Sequence, residues 1–359
     1  VGDEAGTALT TGDGNVAVGF EALATEDADG SNTAIGYRAL KVLNAGAEGY
    51  NVAVGTDAGL SMTLGIQNTL VGNKAGDALT DADFNVAVGR SSLTSDTLGS
   101  KSTAVGHGTL NTQNFTSATD SFNTAVGYQA GASVSTGVQN TLIGGLAGDA
   151  ITTADENTAV GYEALSATTT GTKNTAIGKR SMFANTEGEF NVAIGRNTLA
   201  ANTTADGNIA IGANAMVANT TGTDNVAVGN AALDANTTAD NNTSVGKSSL
   251  TSNTTGHSNT AVGKDALDSN TTGDYNVSLG IDSLQANTTA DHNTGIGSDS
   301  LATNTTGANN TAVGSSALVA NTTADNNTAV GRSALAANTT ASNNTAVGYA
   351  SLTANTTGA

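Results

Sequence analysis

The residue types that most often carry catalysis or metal binding are few and scattered in this sequence. The chain has three His and no Cys, and His107, His257 and His292 match no metal-ligand spacing. Its glycines are not followed by the GKT or GKS of a phosphate-binding loop, and its acidic residues lack the GGxGxD turns of calcium-binding rolls. We therefore expect no enzyme activity, no cofactor and no metal.

The chemical motif that does recur is Asn-x-Thr, the acceptor sequence for N-glycosylation. It occurs as NNT at Asn241, Asn309, Asn326 and Asn343, and in ten copies of NTT. The NTT asparagines, our glycosylation candidates, are Asn202, Asn219, Asn236, Asn253, Asn270, Asn287, Asn304, Asn321, Asn338 and Asn355. The alternative, which we favour, is that Asn and Thr are good turn and ladder residues that happen to spell the motif.

Composition excludes several classes of protein. The chain has 359 residues with no Pro, Cys or Trp, and its 12 basic and 31 acidic residues give a net charge of −19. Such a surface repels nucleic acid and anionic lipid, which both need clustered Lys and Arg. No apolar run approaches the length of a membrane-spanning helix, so we expect no membrane insertion.

An internal repeat organises the whole sequence. Pentads of the NTAVG type begin at Asn15 and recur up to Asn344, and seventeen of the nineteen intervals between them are 17 residues. We number the 17 columns of a unit from the Asn of its pentad. The two longer units predict loops, so we divide a single array, 1–359, into irregular coils over 1–122 and regular coils over 123–359. It reads as a fragment of a longer fibre, because no atypical capping coil is visible at either end.

Three columns of the pentad carry the structural prediction. Column 4 is Val, Ile or Leu in all twenty units, column 5 is Gly in all twenty, and column 1 is Asn in nineteen. We expect column 4 to face the core, as at Val18, Ile35, Val126, Val160, Val228, Val262, Val313 and Val347. Columns 1 and 5 should form ladders and corners with left-handed backbone, as at Asn123, Gly127, Asn157, Gly161, Asn259, Gly263, Asn344 and Gly348.

A second core side chain changes place between units. Column 9 is Leu or Met in sixteen units and Gly in four, at Gly59, Gly76, Gly131 and Gly148. In those four units column 12 becomes apolar, as Met62, Leu79, Val134 and Ile151. This exchange keeps the buried volume roughly constant, which close packing requires and disorder does not.

The period is too short for two helices, and Gly, Asn and Thr oppose helix formation. We therefore predict an all-β fold, a parallel β-solenoid of about twenty coils, which could assemble as a homotrimeric bundle. With column 4 inside, column 3, mostly Ala, would face outward and suit close packing against another chain, or pack at a bend within this one. The aromatic residues at columns 6 and 17 should cover the thin core.

The repeats resemble two known families. NTAVGYQAG at 123–131 and NTAVGYEAL at 157–165 are similar to arrays in bacteriophage tail fibres. The pentad also resembles the YadA-like head repeats of trimeric autotransporter adhesins, although the period of 17 departs from the adhesin unit. The resemblance implies parallel β-rolls, three-chain assembly, and a place on a virion tail fibre or a cell surface.

The function expected from these observations is structural. The chain should be the shaft of an extracellular fibre that spaces or presents a host- or surface-binding tip. Its partner would be further copies of itself, and a host receptor or surface glycan would be contacted through the tip. The alternative is a ligand-binding solenoid whose Thr and Asn face binds glycans or ice.

Overall fold

The computed structural model describes residues 1–28, 30–46 and 48–358, which contain short strands, turns and bends and no helix. The fold class predicted from the repeat, an all-β parallel solenoid with one coil per 17-residue unit, is confirmed. Residues cluster into two compact units, Val1–Arg180 and Ser181–Ala359.

The first unit contains ten strands of the pentad and a minor pair. The pentad strands are β1 (Val16–Val18), β2 (Thr33–Ile35), β3 (Val52–Val54), β4 (Thr69–Val71), β5 (Val86–Val88), β7 (Thr103–Val105), β9 (Thr124–Val126), β10 (Thr141–Ile143), β11 (Thr158–Val160) and β12 (Thr175–Ile177). Each pairs in parallel with the next pentad strand, column on column. The minor pair, β6 (Gly99–Ser100) and β8 (Thr119–Asp120), joins the longest unit to the coil before it.

The second unit contains ten pentad strands in the same arrangement. They are β13 (Val192–Ile194), β14 (Ile209–Ile211), β15 (Val226–Val228), β16 (Thr243–Val245), β17 (Thr260–Val262), β18 (Val277–Leu279), β19 (Thr294–Ile296), β20 (Thr311–Val313), β21 (Thr328–Val330) and β22 (Thr345–Val347). Equal columns again pair in parallel from β13 to β22.

The strand faces are the reverse of the sequence prediction. Column 3 points inward: Ala125 and Ala261, like most column-3 Ala, have no exposed surface. Column 4 points outward, so Val18 and Ile35 are each 39% exposed. The prediction that column 4 forms the core, at Val18, Ile35, Val126, Val160, Val228, Val262, Val313 and Val347, is therefore wrong, since all eight are half-exposed or exposed. The Ala residues of column 3 likewise do not form an outer surface.

The core explains this choice of face. Each coil is narrow, and its interior is filled by Ala of columns 3 and 8 and by Leu or Met of column 9, as in Ala261, Ala266 and Leu267. Leu267 has a φ of 54°, a left-handed conformation that costs an L-residue about 1 to 2 kcal/mol. Turning column 4 inward would add a larger side chain where only Ala fits, and overpacking is also destabilising.

The column 9 exchange has a direct structural basis. Gly131 has a φ of 60°, so glycine relieves the backbone strain that Leu accepts there. A Cβ on Gly131 would lie 2.7 Å from Leu142 and 3.3 Å from Val134, and both of these side chains are fully buried. The space left by the missing Leu is thus filled from columns 3 and 12.

Candidate functional site

The most extensive surface feature is the outer face of the pentad strands, formed by columns 2 and 4. Strand alternation places these two columns on one side and Ala of column 3 on the other. Column 4 is always aliphatic, and Leu279 is 46% exposed. Column 2 adds Thr, Val or Ile, with Ile209 and Val277 among the exposed apolar side chains. We call columns 2 and 4 the outer face.

A ladder of buried Asn side chains holds each strand of this face in register. The backbone N–H of Asn140 donates to Oδ1 of Asn123 at 2.9 Å, and that of Asn157 donates to Oδ1 of Asn140 at 3.0 Å. Most of these side-chain amides also donate to a carbonyl of column 15, as Asn123 does to Gly137 at 2.7 Å. Asn259 and Asn344 occupy the same ladder, bonded to the preceding Asn242 and Asn327. The column 5 glycines Gly127, Gly161, Gly263 and Gly348 all have φ between 124° and 140°. The column 1 Asn residues do not have positive φ, so the prediction of left-handed backbone is wrong for column 1.

The glycosylation candidates form a second, fully internal ladder. Asn253 Nδ2 donates to Asn236 Oδ1 at 3.2 Å and to the carbonyl of Gly256 at 2.9 Å. N-glycosylation needs Nδ2 to be free and its surroundings open, so it is incompatible with this fold. It is excluded at Asn202, Asn219, Asn236, Asn253, Asn270, Asn287, Asn304, Asn321 and Asn338, which are all fully buried. Asn355, half-buried in the last coil, makes the same amide bonds to Asn338 and Gly358.

The other four acceptor motifs lie elsewhere on the coil. Asn241, Asn309, Asn326 and Asn343 of column 17 are exposed and have φ between 58° and 64°. Asn tolerates this left-handed conformation better than most residues. Their left-handed turn conformation therefore explains the Asn residues of column 17 without glycosylation.

Two substitutions in one Asn-x-Thr motif distinguish a structural role in the Asn ladder from a role as a glycosylation acceptor. Asn253→Ala removes a buried amide with three hydrogen-bond partners and should destabilise its coil by about 2 to 4 kcal/mol. Thr255→Ala abolishes the same acceptor motif but alters only an exposed side chain, and should change stability by less than about 0.5 kcal/mol. Thermal unfolding of both variants measures the difference. Equal effects of the two substitutions would contradict the ladder assignment.

The Asn ladder is interrupted at the longest unit, where a buried polar network replaces it. Ser102 stands in place of the column 1 Asn, and Gln113 bridges the gap. Gln113 Nε2 donates to Ser102 Oγ at 2.9 Å and to Asp96 Oδ2 at 2.6 Å, while its Oε1 accepts from Asn123 Nδ2 at 2.9 Å. Sequence reasoning missed Asp96 and Gln113, although the Ser in column 1 was a signal that the ladder changes there.

Aromatic side chains stand at both ends of the pentad strands and are exposed, so the prediction that they cover the core is wrong. Tyr128 of column 6 is 56% exposed and stacks on His107, with ring centroids 5.5 Å apart. Tyr275 of column 17 is 57% exposed and stacks on His292 at 5.1 Å. These rings border the outer face and extend its apolar surface.

Titratable groups are distributed along the coils and do not converge. Partial burial raises the pKa of the Asp234 and Asp268 carboxyls, both in column 10, and Arg180 lowers the pKa of Glu163 through a hydrogen bond. His257 Nδ1 accepts the backbone N–H of Asp240 at 3.0 Å. Over the described residues no group of three or more His, Asp or Glu is placed to hold a metal ion.

Within residues 1–28, 30–46 and 48–358, no helix is long and apolar enough to span a bilayer. Comparison of the chain with protein-family models, curated proteins and solved structures finds no match.

Proposed function

We propose that this chain is part of the shaft of an extracellular fibre, on a virion tail or a cell surface, which spaces or presents a binding tip. The observation that carries the proposal is the outer face, an aliphatic surface repeated from coil to coil within each unit. The described titratable residues do not converge on a common site, and the repeat puts the same surface on coil after coil. A structural role makes use of both features.

The bonding within the coils suits a shaft. Backbone hydrogen bonds run from each coil to the next, as from Thr260 N–H to the Asn276 carbonyl at 2.8 Å. The Asn ladders add a second set of bonds along the same direction. A stack bonded in this way resists bending and extension, and the net charge of −19 keeps it soluble.

The outer face supports self-association. Soluble monomers rarely expose contiguous apolar patches larger than a few hundred Å², and here half-exposed Val, Ile and Leu follow one another along the coils. Flanking rings such as Tyr162 and Tyr275, 49% and 57% exposed, widen the patch. Packing of this face against further copies of the chain would bury it, and the homotrimer suggested by the family resemblance is one such arrangement.

The test compares two substitutions in one coil. Val313→Asp puts a charge on the outer face, whereas Val319→Asp puts the same charge at column 10, where Asp234 and Asp268 already occur. Light scattering should give a multiple of 35.0 kDa for the wild type and for Val319→Asp, with a shift toward 35.0 kDa for Val313→Asp. A wild-type mass of one chain at all concentrations would refute self-association.

The alternative function, glycan or ice binding along the coils, draws its support from Thr. The column 13 hydroxyls are already used, since Thr254 Oγ1 donates to the Thr271 carbonyl at 3.0 Å and its counterparts do the same. Column 14, as at Thr255 and Thr272, leaves a single row of exposed hydroxyls. A thermal-hysteresis measurement tests the hypothesis of ice binding. Absence of any freezing-point depression would exclude it.

A further inference from the structure

Opposite charges lie at the two ends of the outer-face strands in residues 181–359. All four basic residues of this unit, Arg196, Lys247, Lys264 and Arg332, occupy column 6, directly after a strand. Six of its thirteen acidic residues occupy column 16, shortly before a strand: Glu189, Asp206, Asp240, Asp274, Asp291 and Asp325. We call the first set the basic rim and the second the acidic rim.

The two rims are matched in height along the stack. Glu189 and Arg196 flank β13, Asp240 and Lys247 flank β16, and Asp325 and Arg332 flank β21. In each case the acid and the base are seven residues apart, at opposite ends of one three-residue strand. The fourth base, Lys264, has His257 at the equivalent place.

The basic side chains are available for a partner. Arg196, Lys247 and Arg332 are exposed, and within the described part of the chain no carboxylate lies at ion-pair distance from them. Lys264 differs in pairing with the adjacent Asp265. Three of the four basic side chains in the rim therefore have no ion-pair partner within the described part of the chain.

The acidic side chains are held in place by the coil. Asp240 Oδ1 accepts the backbone N–H of Thr223 at 2.7 Å, and Asp325 Oδ1 accepts that of Ala308 at 2.7 Å. Each carboxylate is thus oriented by one oxygen, and its side chain is only half-buried. Because a fixed side chain loses little entropy on binding, such a group is well suited to a cross-chain ion pair.

We infer that the outer face receives a second copy of this chain in parallel orientation and at equal coil height, with the basic rim of one copy against the acidic rim of the next. A rotation about an axis parallel to the stack brings the end of each strand beside the start of the same strand in the neighbour. Arg196, Lys247 and Arg332 then meet Glu189, Asp240 and Asp325 of that copy. This inference rests on the self-association proposed above and adds its direction and register.

The opposite orientation is disfavoured by the same charges. Two faces packed with their stacks antiparallel bring strand ends against strand ends, so the basic rim meets a basic rim and the acidic rim an acidic rim. Like charges placed opposite each other across an interface oppose association and suppress the wrong partner. A one-coil slip is also penalised, because Lys247 would then face His257 or Thr223 in place of Asp240.

Cysteine crosslinking of the full chain tests orientation and height, since the natural sequence has no Cys. We expect a mixture of Asp240→Cys chains and Lys247→Cys chains to form disulfide-linked pairs, because a disulfide needs Cα atoms within about 7 Å. A mixture of Asp240→Cys and Arg332→Cys chains is the control, as these positions differ by five coils, roughly 24 Å. It should remain unlinked.

Charge reversal gives an independent readout of the same contact. Lys247→Glu with Arg332→Glu should weaken association on the order of tenfold or more at low salt, with the loss fading at high salt. Adding Asp240→Lys and Asp325→Lys to the same chain should restore association, while circular dichroism reports that all variants keep the fold. A lack of rescue contradicts the rim pairing.

The outcomes separate this inference from the proposed function. A wild-type chain that stays at the mass of one chain removes the interface and the inference together. An oligomer in which positions 240 and 247 do not crosslink, or in which cysteines within the basic rim crosslink with each other, overturns the parallel arrangement alone. Crosslinking of the matched pair without the control pair is the result expected.

Discussion

Gly246→Ala is expected to break the stack at its coil, with a loss of stability on the order of 3 to 5 kcal/mol. Gly246 has a φ of 139°, a conformation that L side chains rarely adopt, and an added Cβ would lie 2.3 Å from the carbonyl oxygen of Gly263. Backbone strain of this kind alone costs about 1 to 3 kcal/mol. The clash adds to it, because a backbone atom of the next coil cannot move without breaking its own ladder bonds.

Gly348→Ala is the matched control for this experiment. Gly348 has a φ of 124°, but a Cβ there would meet no atom within 4 Å. The substitution retains the strain and omits the clash, so thermal unfolding should show a clearly smaller loss than for Gly246→Ala. Hydrogen exchange should place the new opening at the coils of β16 and β17. Equal losses for the two variants would mean that coil-to-coil contact is not what requires glycine.

The second large effect is expected at Asp96, a fully buried carboxylate. Its Oδ1 accepts the backbone N–H groups of Gly99 and Phe115 at 3.1 and 3.2 Å, and its Oδ2 accepts from Gln113 at 2.6 Å. Asp96→Ala leaves three buried donors unpaired, each costing about 1 to 3 kcal/mol. We expect a loss of roughly 3 to 5 kcal/mol and disorder of the longest unit, measured by thermal unfolding and hydrogen exchange.

Two further variants define what Asp96 does. Asp81→Ala removes an exposed carboxylate from the preceding unit and should have almost no effect. Asp96→Asn keeps the shape of the side chain but can place an N–H₂ donor opposite the Nε2 donor of Gln113. The acceptor of Gln113, Oε1, is already bonded to Asn123. We expect a loss between those of the other two variants. If Asp96→Asn is as stable as the wild type, the acceptor-only character of the carboxylate is not required.

Damage to one coil should remain local in a stack of coils. In a solenoid each coil contacts mainly its neighbours, so stability is a sum of coil and interface contributions. A single damaged coil therefore divides the stack without unfolding all of it. The longest unit, where the Asn ladder is replaced by Ser102, Gln113 and Asp96, is the place where the bonding is least uniform.

The amino-acid sequence by itself determined the period, the strands and the class of fold. Recurrence of Asn in column 1 placed the ladder, because Asn side chains stacked in register bond to one another. Recurrence of Gly in column 5 placed the corner, because L side chains rarely adopt its positive φ. The exchange between column 9 and column 12, as at Gly131 and Val134, indicates a filled core from the volumes of the side chains alone. These features depend on local conformation and on volume, which a repeated sequence displays column by column.

Only the tertiary structure decided which side of the strand is inside. Alternation allows either Ala of column 3 or Val, Ile and Leu of column 4 to face the core, and hydrophobicity alone favours the larger residues. The interior of a 17-residue coil is already occupied by Leu of column 9, as at Leu267, and leaves room only for Ala. The aliphatic residues consequently lie on the surface, and that surface is where the proposed function resides.

For the same reason, the sequence did not determine which Asn-x-Thr asparagines are buried and which are exposed. Columns 12 and 17 both supply acceptor sequences, yet Asn253 lies inside the coil and Asn241 outside it. The sequence does not determine whether either side chain points into the coil or out of it. Both residues lie in turns, and the orientation of a turn follows from how the coil closes. Burial of Asn253 in a ladder of amides is a property of stacked coils, and it appears only when neighbouring coils supply the partners.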